Sequence, residues 1–567
     1  MVQPIRKIVI VGGGTAGWIT AAYLNHRLQW GATAPGEVEI TVIESPDIPT
    51  IGVGEATVPT LKGTLRQLQI SEDEFILRTD ATFKLGIRFE GWQAERDGLC
   101  HHYTSPFTAG SSVYGRNPAY SFLRYAKAAG TSIWGDAHGR LISPVGEALA
   151  RGKGPRPAAD PEFAGTLQYA YHVDAGKLAE FFKDVCIARG VTHLSDTVRE
   201  VTMDAQGRIA SLELANHGTL PLELVIDCTG FRGLLINEAM GEPFVPFSDY
   251  LLNDRAVPIQ VRRSQPEKIL PATISRALGS GWSWRIPLHS RDGTGYVYSS
   301  HFASDDQAQG ELQGLLHGQE QITNPRVLRM RVGKTRRSWV GNCVAIGASA
   351  GFVEPLESTA ILSIELAVRR LVRYFPSLDL EAPLVRRFNA AMDRFYDEVL
   401  DHLCLHFSLS DREDTPYWRA VRHEAKRSDA LLENLAAWKH ALPSLEDGRK
   451  SDIFAARAVE MLLLAKGFYE DTALTQADVV PADVWKFYTA VSAARASHLV
   501  STLPDHFTLL EQIRTRAVLG TTARVRPLQP EAIFAASEDG PNQLLRDSDV
   551  IERREASQAA FGARSAG

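Results

Sequence analysis

Cysteine is scarce in this chain. Five of the 567 residues are cysteine, at positions 100, 186, 228, 343 and 404. No two of them have the CxxC spacing of a zinc site, and an odd number of scattered cysteines does not suggest a disulfide framework. We therefore expect no metal site and no disulfide bonds, and we interpret the cysteines as small buried apolar residues.

Long apolar runs and an excess of positive charge are also missing. No stretch approaches the roughly 20 apolar residues that a membrane helix requires. Residues 1–7 lead directly into the apolar residues 8–11, which leaves no room for an export signal. The net charge is −6, so there is no basic field for nucleic acid. We expect a cytoplasmic protein with neither a membrane nor a nucleic-acid partner.

The chain opens with the pattern of a buried strand, a glycine-rich turn and a helix predicted over 15–28. Gly12, Gly14 and Gly17 form a GxGxxG arrangement directly after the strand. The first glycine permits a tight turn, the second lets the backbone approach a pyrophosphate, and the third lets the helix pack on the strand. The pattern alone also fits a turn without a ligand. Its position between strand and helix favours a dinucleotide site.

A second strand is predicted over 38–44 and ends at Glu44, whose carboxylate suits the ribose hydroxyl of FAD or NAD and would repel the phosphate of NADP. Strands predicted at 222–227 and 343–347 enter further glycine turns. This is the usual way in which flavin monooxygenases rebuild an FAD site from distant segments, so FAD is favoured. The glycine after the last strand is followed by Ala348, where aromatic hydroxylases usually have aspartate, and this argues against a standard hydroxylase.

After residue 359 the pattern becomes helical, with helices predicted over 361–374, 383–406 and 419–441. We expect an α/β fold with a Rossmann-like FAD-binding domain and mixed sheets over 1–380, and a mainly helical substrate lobe over 381–524. Residues 525–567 lack sustained periodicity and are interpreted as a surface wrap or a partly disordered tail.

The segment 281–287, Gly-Trp-Ser-Trp-Arg-Ile-Pro, has no ordinary structural explanation beyond two core tryptophans on one face of a strand. Three further segments of the chain accompany it in order. They are Gly52-Val53-Gly54-Glu55-Ala56-Thr57-Val58-Pro59, Phe83-Lys84-Leu85-Gly86 and Gly351-Phe352-Val353-Glu354-Pro355-Leu356-Glu357-Ser358-Thr359. Together with the opening turn, the chain resembles the flavin-dependent tryptophan halogenases. Residues 411–418 extend the resemblance.

The resemblance implies reduced FAD as cofactor, delivered by a separate flavin reductase because the chain has no second nucleotide fingerprint, and chloride or bromide as halide. The residues expected to bind FAD are Gly12, Gly14, Thr15, Ala16, Gly17, Glu44, Gly54, Glu55, Ala56, Ile346 and Gly347. Among these, residues 54–56 belong to a strap over the flavin that links the cofactor site to the halide site. Without the resemblance, the same segment could be a flexible loop.

Lys84 matches the family's invariant lysine, which either forms a haloamine or holds hypohalous acid by a hydrogen bond. A solvated surface lysine is the ordinary alternative, and the apolar neighbours of Lys84 argue against it. Glu357 matches the essential glutamate, which stabilises the cationic ring intermediate. Glu354 is expected to be structural. These two assignments make Lys84 and Glu357 the predicted catalytic residues.

Further roles follow from the resemblance. The backbone N–H groups of Thr359 and Ala360 are expected to bind halide at a helix N-terminus. Trp282 and Trp284 are expected to stand between flavin and substrate, with Ser358 nearby. His102 is a candidate for the aromatic pocket, although a solvated or structural histidine is the alternative.

Residues 461–470 do not clearly reproduce the groups that hold free tryptophan in the family. We therefore expect an indole or another electron-rich aromatic as substrate, and a monomer or homodimer. Two alternatives stay open. An FAD-dependent aromatic hydroxylase would add oxygen to the ring, and a flavin-binding protein without catalytic activity would halogenate nothing.

Overall fold

The computed structural model describes residues 3–29, 38–48, 54–108, 110, 112–113, 115–444, 447, 453–472, 474 and 478–520. The strands are β1 Lys7–Val11, β2 Glu39–Glu44, β3 Gly54–Ala56, β4 Thr82–Lys84, β5 Gly86–Glu90, β6 His102–Pro106, β7 Ala170–Asp174, β8 Thr192–Ser195, β9 Val198–Met203, β10 Ile209–Leu214, β11 Gly218–Pro221, β12 Leu224–Asp227, β13 Phe244–Pro246, β14 Arg255–Val261, β15 Ala272–Leu278, β16 Gly281–Pro287, β17 Asp292–Tyr298, β18 Leu328–Arg329, β19 Gly333–Thr335, β20 Trp339–Val340, β21 Cys343–Ala345 and β22 Gly351–Phe352.

The helices are α1 Thr15–Gln29, α2 Thr60–Gln67, α3 Glu72–Arg78, α4 Pro118–Ala128, α5 Ala137–Ile142, α6 Val145–Ala150, α7 Ala175–Ala188, α8 Asp305–Leu315, α9 Thr359–Arg373, α10 Ala382–Ser408, α11 Pro416–His423, α12 Asp429–Trp438, α13 Ala456–Ala465, α14 Ala482–Thr502 and α15 His506–Gly520. Short 3-10 turns at Gly347–Ser349 and Pro355–Glu357 precede α9.

The opening βαβ prediction is confirmed. A six-stranded sheet has the order β20-β21-β12-β1-β2-β8, and its strands run parallel except at the β20–β21 edge. The two returning strands join the same sheet: β12 lies next to β1, and β21 lies next to β12. Parallel strands are covered on both faces, which explains why β1 and β12 are almost entirely apolar. Helix α1 packs against α7 and α9.

A seven-stranded sheet, β18-β14-β17-β16-β15-β5-β6, carries the tryptophan pair on its central strand β16. This sheet is mostly antiparallel, with one parallel pairing between β15 and β5. Trp282 and Trp284 are both buried, and their rings are 6.4 Å apart. The ordinary explanation of the motif, two core tryptophans on one strand, therefore holds, and their role between flavin and substrate stays a prediction.

A small three-stranded sheet, β3-β7-β4, joins two of the predicted functional segments. Strand β7 pairs on one side with β3, which holds residues 54–56, and on the other side with β4, which ends at Lys84. Backbone hydrogen bonds to β7 thus fix the separation between residues 54–56 and Lys84. Residues 52 and 53 of the same motif lie outside the described residues.

The chain from residue 359 onward is helical in its described part, as predicted. The single helix expected over 419–441 is wrong, because the chain forms α11 and α12 with a break between them. At the break, the Lys426 N–H donates to the Asp249 carbonyl at 2.8 Å instead of continuing a helix. Ser428 then caps α12, its Oγ accepting from the Leu431 N–H at 3.0 Å.

Four of the five cysteines are buried, as predicted, and all five are free thiols. Cys100 is exposed, which corrects the prediction for that residue: it lies in the connection between β5 and β6 rather than in an element that faces the core. Among the described residues, no helix is both long and apolar enough to cross a bilayer. The proposed boundaries at 380 and 524 stay a prediction, and the tail lies outside the described residues.

Candidate active site

A cavity of about 650 Å³ lies where the parallel strands enter their loops. Its wall includes Val11 after β1, Glu44 at the end of β2, Cys228 after β12 and Gly347 after β21. Ligands of open α/β sheets bind at the carboxyl ends of the strands, where the backbone turns away from the sheet. The cavity therefore stands where a dinucleotide is expected.

At each of the three glycines of the opening turn, a Cβ atom would meet different surroundings. Gly12 has φ +116°, and a Cβ there would lie 2.2 Å from the Cys228 carbonyl oxygen. A Cβ on Gly17 would lie 1.9 Å from the Gly12 carbonyl oxygen, so α1 packs directly on the turn. A Cβ on Gly14 would meet no atom within 4 Å, and Gly14 lines the cavity. The turn is thus closed toward the protein and open toward a ligand, which fits FAD.

Most of the predicted cofactor residues line this cavity. They are Gly12, Gly14, Thr15, Ala16, Glu44, Gly54, Glu55, Ala56 and Gly347. Ile346 and Gly17 are buried behind the wall and do not line it. Ile346 instead donates its N–H to the Asp227 carbonyl at 3.0 Å, which binds the returning strands together. Their contribution to the cavity is therefore structural.

Two carboxylates of the cavity wall have different surroundings. Glu44 accepts a hydrogen bond from Lys183 Nζ at 2.7 Å, so its charge is partly balanced at the mouth of β2. No cation among the described residues pairs with Glu55, and burial raises its pKa to about 7. Part of the Glu55 population is consequently protonated near neutral pH, and a protonated carboxyl can donate a hydrogen bond into the cavity.

Lys84 is completely buried at the end of β4. Its Nζ donates to the Ser358 Oγ at 2.7 Å and to the Thr57 carbonyl oxygen at 3.0 Å. Burial lowers the pKa of Lys84 to about 7, and the nearby Glu357 carboxylate opposes this effect only in part. Burial penalises the charged ammonium. The amine is therefore available in both its neutral and its protonated form near neutral pH.

Ser358 stands at the start of α9 in the left-handed conformation, with φ +60°. This backbone turn directs its side chain to Lys84 while the first residues of α9, Thr359 and Ala360, line the cavity. The first N–H groups of a helix lack intrahelical partners and attract anions. The same helix start thus borders the cavity, contacts the amine and offers donors suited to a halide.

Glu357, the neighbour of Ser358, contacts two histidines of α10. His406 Nε2 lies 2.7 Å from Glu357 Oε1, and His402 Nε2 lies 3.6 Å from the same oxygen. Burial raises the pKa of Glu357, but the two imidazoles outweigh burial and hold its pKa below the usual range. Burial lowers the pKa of His406 to about 4, so this imidazole is neutral at pH 7. Glu357 is thus an ionised carboxylate beside the neutral imidazole of His406.

The tryptophan pair connects the cavity with the Glu357 side of the protein. Trp284 lines the cavity, whereas Trp282 does not and instead lies 6.5 Å from the ring of Trp92. The Trp92 ring is in turn 6.1 Å from His406. The two indoles of β16 therefore occupy the space between the cavity and the histidines that hold Glu357.

The tryptophan halogenase family model matches residues 7–482. Tryptophan 7-halogenase RebH of Lentzea aerocolonigenes is 39% identical over 448 residues, which cover 77% of this chain and 82% of RebH. Tryptophan 6-halogenase SttH of Streptomyces toxytricini is 38% identical over 524 residues, covering 88% and 97%. The crystal structure of a tryptophan halogenase from Shewanella frigidimarina has a TM-score of 0.83 at 32% identity, covering 91% of this chain and 98% of that one.

The chain belongs to the tryptophan halogenase family. The resemblance inferred from the motifs is confirmed, and with it the α/β fold and the classification as a flavin-dependent halogenase.

The neighbouring residues His101 and His102 have different surroundings in this halogenase, and the pocket role of His102 stays a prediction. His102 is partly exposed on β6, with its Nδ1 3.4 Å from the Cys100 carbonyl oxygen. Its neighbour His101 is the buried one, and its ring is 5.6 Å from that of Tyr103. The Tyr103 hydroxyl lies 3.4 Å from His406 Nδ1. The structure thus connects His101, and not His102, with the surroundings of Glu357.

Sequence reasoning missed several residues that the halogenase brings to this region. His402 and His406 are four residues apart on a predicted helix, which was the available signal, but nothing in the sequence pointed to Glu357 as their partner. Lys466 is also buried, and its Nζ donates to the carbonyl oxygens of Trp92 at 3.1 Å and His406 at 3.2 Å. A lone lysine offered no sign of this position.

Glu354 is hydrogen-bonded to one tryptophan of the pair, and its structural role stays a prediction. Its Oε2 accepts from the Trp282 indole N–H at 2.6 Å and from the Asn253 amide at 2.8 Å. Burial raises the pKa of Glu354 to about 7, and the two hydrogen bonds oppose this effect only in part. Glu354 therefore fixes the orientation of one tryptophan of the pair.

Proposed function

We propose that this halogenase uses FADH2, oxygen and chloride or bromide to halogenate an indole-like, electron-rich aromatic, with Lys84 and Glu357 as catalytic groups. The observation that carries the proposal is the contact of Lys84 Nζ with Ser358 Oγ at 2.7 Å, at a helix start that lines the cavity. The amine is thereby placed beside the cavity and beside the Glu357 carboxylate at once.

The cavity residues hold and orient the flavin. The open backbone at Gly14 and the N-terminus of α1 suit the pyrophosphate, and Glu44 suits the ribose. When bound, reduced flavin supplies, with oxygen, the oxidising power that converts halide to hypohalous acid. The N–H groups of Thr359 and Ala360 hold the halide at the cavity wall, because the helix start attracts an anion.

Lys84 carries the oxidised halogen toward the ring. In its neutral form the amine can react with hypohalous acid, forming a nitrogen–halogen bond and releasing water. In its protonated form the ammonium can instead donate a hydrogen bond to hypohalous acid. A pKa of about 7, caused by burial, makes both forms accessible at neutral pH. Either form delivers an electrophilic halogen to one position instead of releasing it into solvent.

Glu357 acts on the ring. Attack of an aromatic carbon on the electrophilic halogen creates a cationic ring, which then loses a proton to restore aromaticity. An ionised carboxylate stabilises that cation and can accept the proton. His406 donates to Glu357 Oε1 at 2.7 Å and fixes its orientation. The halogenated ring and a proton are the products of the step.

Trp282 and Trp284 keep flavin and substrate apart. The indole of Trp284 forms part of the cavity wall, and Trp282 fills the space behind it. A wall of two packed aromatic rings excludes an organic ring of similar size while the halogen passes beside it at Lys84. This separation favours halogenation over direct transfer of oxygen to the substrate.

The substrate class rests on two observations. The relatives RebH and SttH bear the names of tryptophan halogenases, and tryptophan carries an indole. In this chain, Met461–Ala465 on α13 are buried, and Glu460 is bound to Asn117 and Arg457. Because these residues of α13 are buried or already bound within the protein, we propose an indole-like ring in preference to the free amino acid. A separate reductase supplies the reduced FAD.

The test is a product assay with the full chain. Purified protein is incubated with FAD, NADH, a flavin reductase, and chloride or bromide, against a panel of indoles, phenols and free tryptophan. Mass spectrometry distinguishes an added halogen from an added oxygen. We expect halogenated indoles, and no turnover when the reductase is omitted.

Lys84→Ala is expected to abolish halogenation while FAD binding is retained, because Lys84 is not among the residues of the cavity wall. Lys426→Ala is the matched control, since Lys426 pairs with the exposed Asp249 at the surface and does not line the cavity. Halogenation by Lys84→Ala would contradict the role of the amine. Hydroxylated products from the unaltered protein would contradict the reaction class.

A further inference from the structure

Glu357, His402 and His406 form a compact group of side chains of the kinds that bind transition metals. The two histidines are four residues apart on α10 and share one helix face. Their Nε2 atoms lie 3.6 Å and 2.7 Å from Glu357 Oε1. One ligand atom from each of the three residues lies within 4.8 Å of the other two. Both imidazoles are buried, so they are held in place by packing.

The spacing is close to what a metal ion requires. Zn²⁺ binds histidine nitrogen and carboxylate oxygen at about 2.0–2.2 Å, which separates its ligands by roughly 3.3–3.6 Å. The distance from Glu357 Oε1 to His402 Nε2 is already 3.6 Å, and the distance to His406 Nε2 must lengthen from 2.7 Å.

The surroundings support a metal-bound tautomer of His406. Binding through Nε2 requires the ring proton on Nδ1, and the Tyr103 hydroxyl lies 3.4 Å from His406 Nδ1. The phenol oxygen can accept that proton in a hydrogen bond, as the outer partners of metal-bound histidines commonly do. His402 is held by its ring stacking on Phe454, with centroids 3.7 Å apart.

We propose that the halogenase binds a divalent late transition-metal ion, Zn²⁺ foremost, through Nε2 of His402, Nε2 of His406 and a carboxylate oxygen of Glu357. Two nitrogens and one oxygen select Zn²⁺, Co²⁺ or Ni²⁺ over Mg²⁺ and Ca²⁺. Three protein ligands leave a fourth position for water. Bound metal withdraws the Glu357 carboxylate from the aromatic ring and so inhibits halogenation. This inhibition rests on the proposed function, whereas the binding does not.

With three protein ligands and an exchangeable water, the site differs from a closed structural zinc centre that has four protein ligands. A chelator should therefore be able to remove the metal.

Co²⁺ is the probe for binding, because its visible d–d absorption reports coordination number and ligand type. Untagged full-length protein without flavin is titrated with Co²⁺ and then with Zn²⁺ as competitor, and Mg²⁺ is the negative control. Halogenation is measured in parallel with Zn²⁺ and after removal of Zn²⁺ by a chelator. His402→Phe removes one ligand and keeps an aromatic ring against Phe454, and His423→Gln removes an exposed histidine outside the group as matched control.

We expect the unaltered protein and His423→Gln to show four- or five-coordinate Co²⁺ bands, displaced by Zn²⁺. His402→Phe should bind Co²⁺ at least about 100-fold more weakly, because loss of an outer partner alone costs 10- to 100-fold. Zn²⁺ should inhibit the unaltered enzyme reversibly. Equal Co²⁺ binding by His402→Phe, or no binding by the unaltered protein, would overturn the proposal. Binding without inhibition would support the metal site and contradict the role assigned to Glu357.

Discussion

The Nζ atom of Lys84 donates a hydrogen bond to the Oγ atom of Ser358 across 2.7 Å, although 274 positions separate the two residues in the sequence. The first residue ends a strand of a small sheet, and the second begins a helix at the cavity wall. This single contact joins the proposed carrier of the halogen to the segment that also contains Glu357.

Halogenation should depend on pH through the ionisation of Lys84. Burial lowers the pKa of Lys84 to about 7, so the neutral amine predominates above that pH. If a haloamine carries the halogen, the rate of the chemical step rises as pH increases through about 7. We expect this rise in single-turnover measurements with pre-reduced FAD. A rate that falls over the same range would assign the hydrogen-bonding ammonium instead.

Lys84→Met should stabilise the protein while abolishing activity. The unfolded chain keeps the ordinary pKa of lysine, whereas the buried amine has a lowered one, so folding is opposed by protonation as pH falls below about 10. The destabilisation of the folded state reaches its full size below the folded-state pKa of about 7. Methionine removes this destabilisation but also removes the two hydrogen bonds of the amine. We expect a net increase in the free energy of unfolding on the order of 1 kcal/mol. The increase in Tm for Lys84→Met should be larger at pH 6 than at pH 9.5. A lower Tm than that of the unaltered protein at pH 6 would contradict this expectation.

His406→Phe should weaken catalysis through Glu357. The variant removes the hydrogen bond from His406 Nε2 to Glu357 Oε1, so the pKa of Glu357 should rise toward or above its usual range because burial then dominates. A hydrogen bond to a charged group contributes about 1.5–3 kcal/mol, which corresponds to a rate loss of about 10- to 100-fold. The acid limb of the kcat/KM profile should move to higher pH. An unchanged acid limb with a lower rate would indicate a purely structural role for His406.

Glu354→Gln should increase stability at neutral and alkaline pH. Burial raises the pKa of Glu354 to about 7, so the folded state binds more protons than the unfolded state between about pH 4.5 and 7. The contribution of Glu354 to the free energy of unfolding is therefore most favourable at low pH, and it declines as pH rises through that window. Glutamine keeps an acceptor for the Trp282 N–H without the charge. Denaturant unfolding should show a gain at pH 8 and little change at pH 4.5, with halogenation retained.

Glu354→Leu provides the contrast. It leaves the Trp282 N–H and the Asn253 amide buried without their acceptor. An unsatisfied buried donor costs about 1–3 kcal/mol, so this variant should be clearly less stable than Glu354→Gln. Equal stability of the two variants would show that the hydrogen bonds at Glu354 contribute little.

Gly14→Ala should weaken FAD binding without unfolding the protein. Gly14 belongs to the part of the cavity wall that the pyrophosphate is expected to approach, and a Cβ there meets no protein atom within 4 Å. We expect at least a tenfold higher Kd for FAD, about 1.4 kcal/mol, by fluorescence titration. Gly310→Ala on α8 is equally unobstructed, and Gly310 does not line the cavity, so the FAD affinity of this variant should not change. Matched FAD affinities for the two variants would contradict the assignment of the turn.

Local patterns in the sequence were enough for the nucleotide half of the site. The glycine turn, the two flanking strands and the terminal carboxylate of Glu44 are adjacent along the chain, and their spacing obeys the geometry of one βαβ unit. The burial of Lys84 was also foreseeable, since its immediate neighbours are apolar. Helix boundaries were less secure. The break before α12 depends on Asp249, which is distant in sequence and accepts the Lys426 N–H.

The amino-acid sequence by itself determined the dinucleotide turn, the strand with two tryptophans and membership of the halogenase family, because each depends on residues close together in the chain. Only the tertiary structure decided that Ser358 contacts Lys84, that His402 and His406 surround Glu357, and that His101 rather than His102 faces this region. Those relations join segments tens to hundreds of residues apart. Packing of the sheets against α9 and α10 brings them together, and no local spacing encodes such packing.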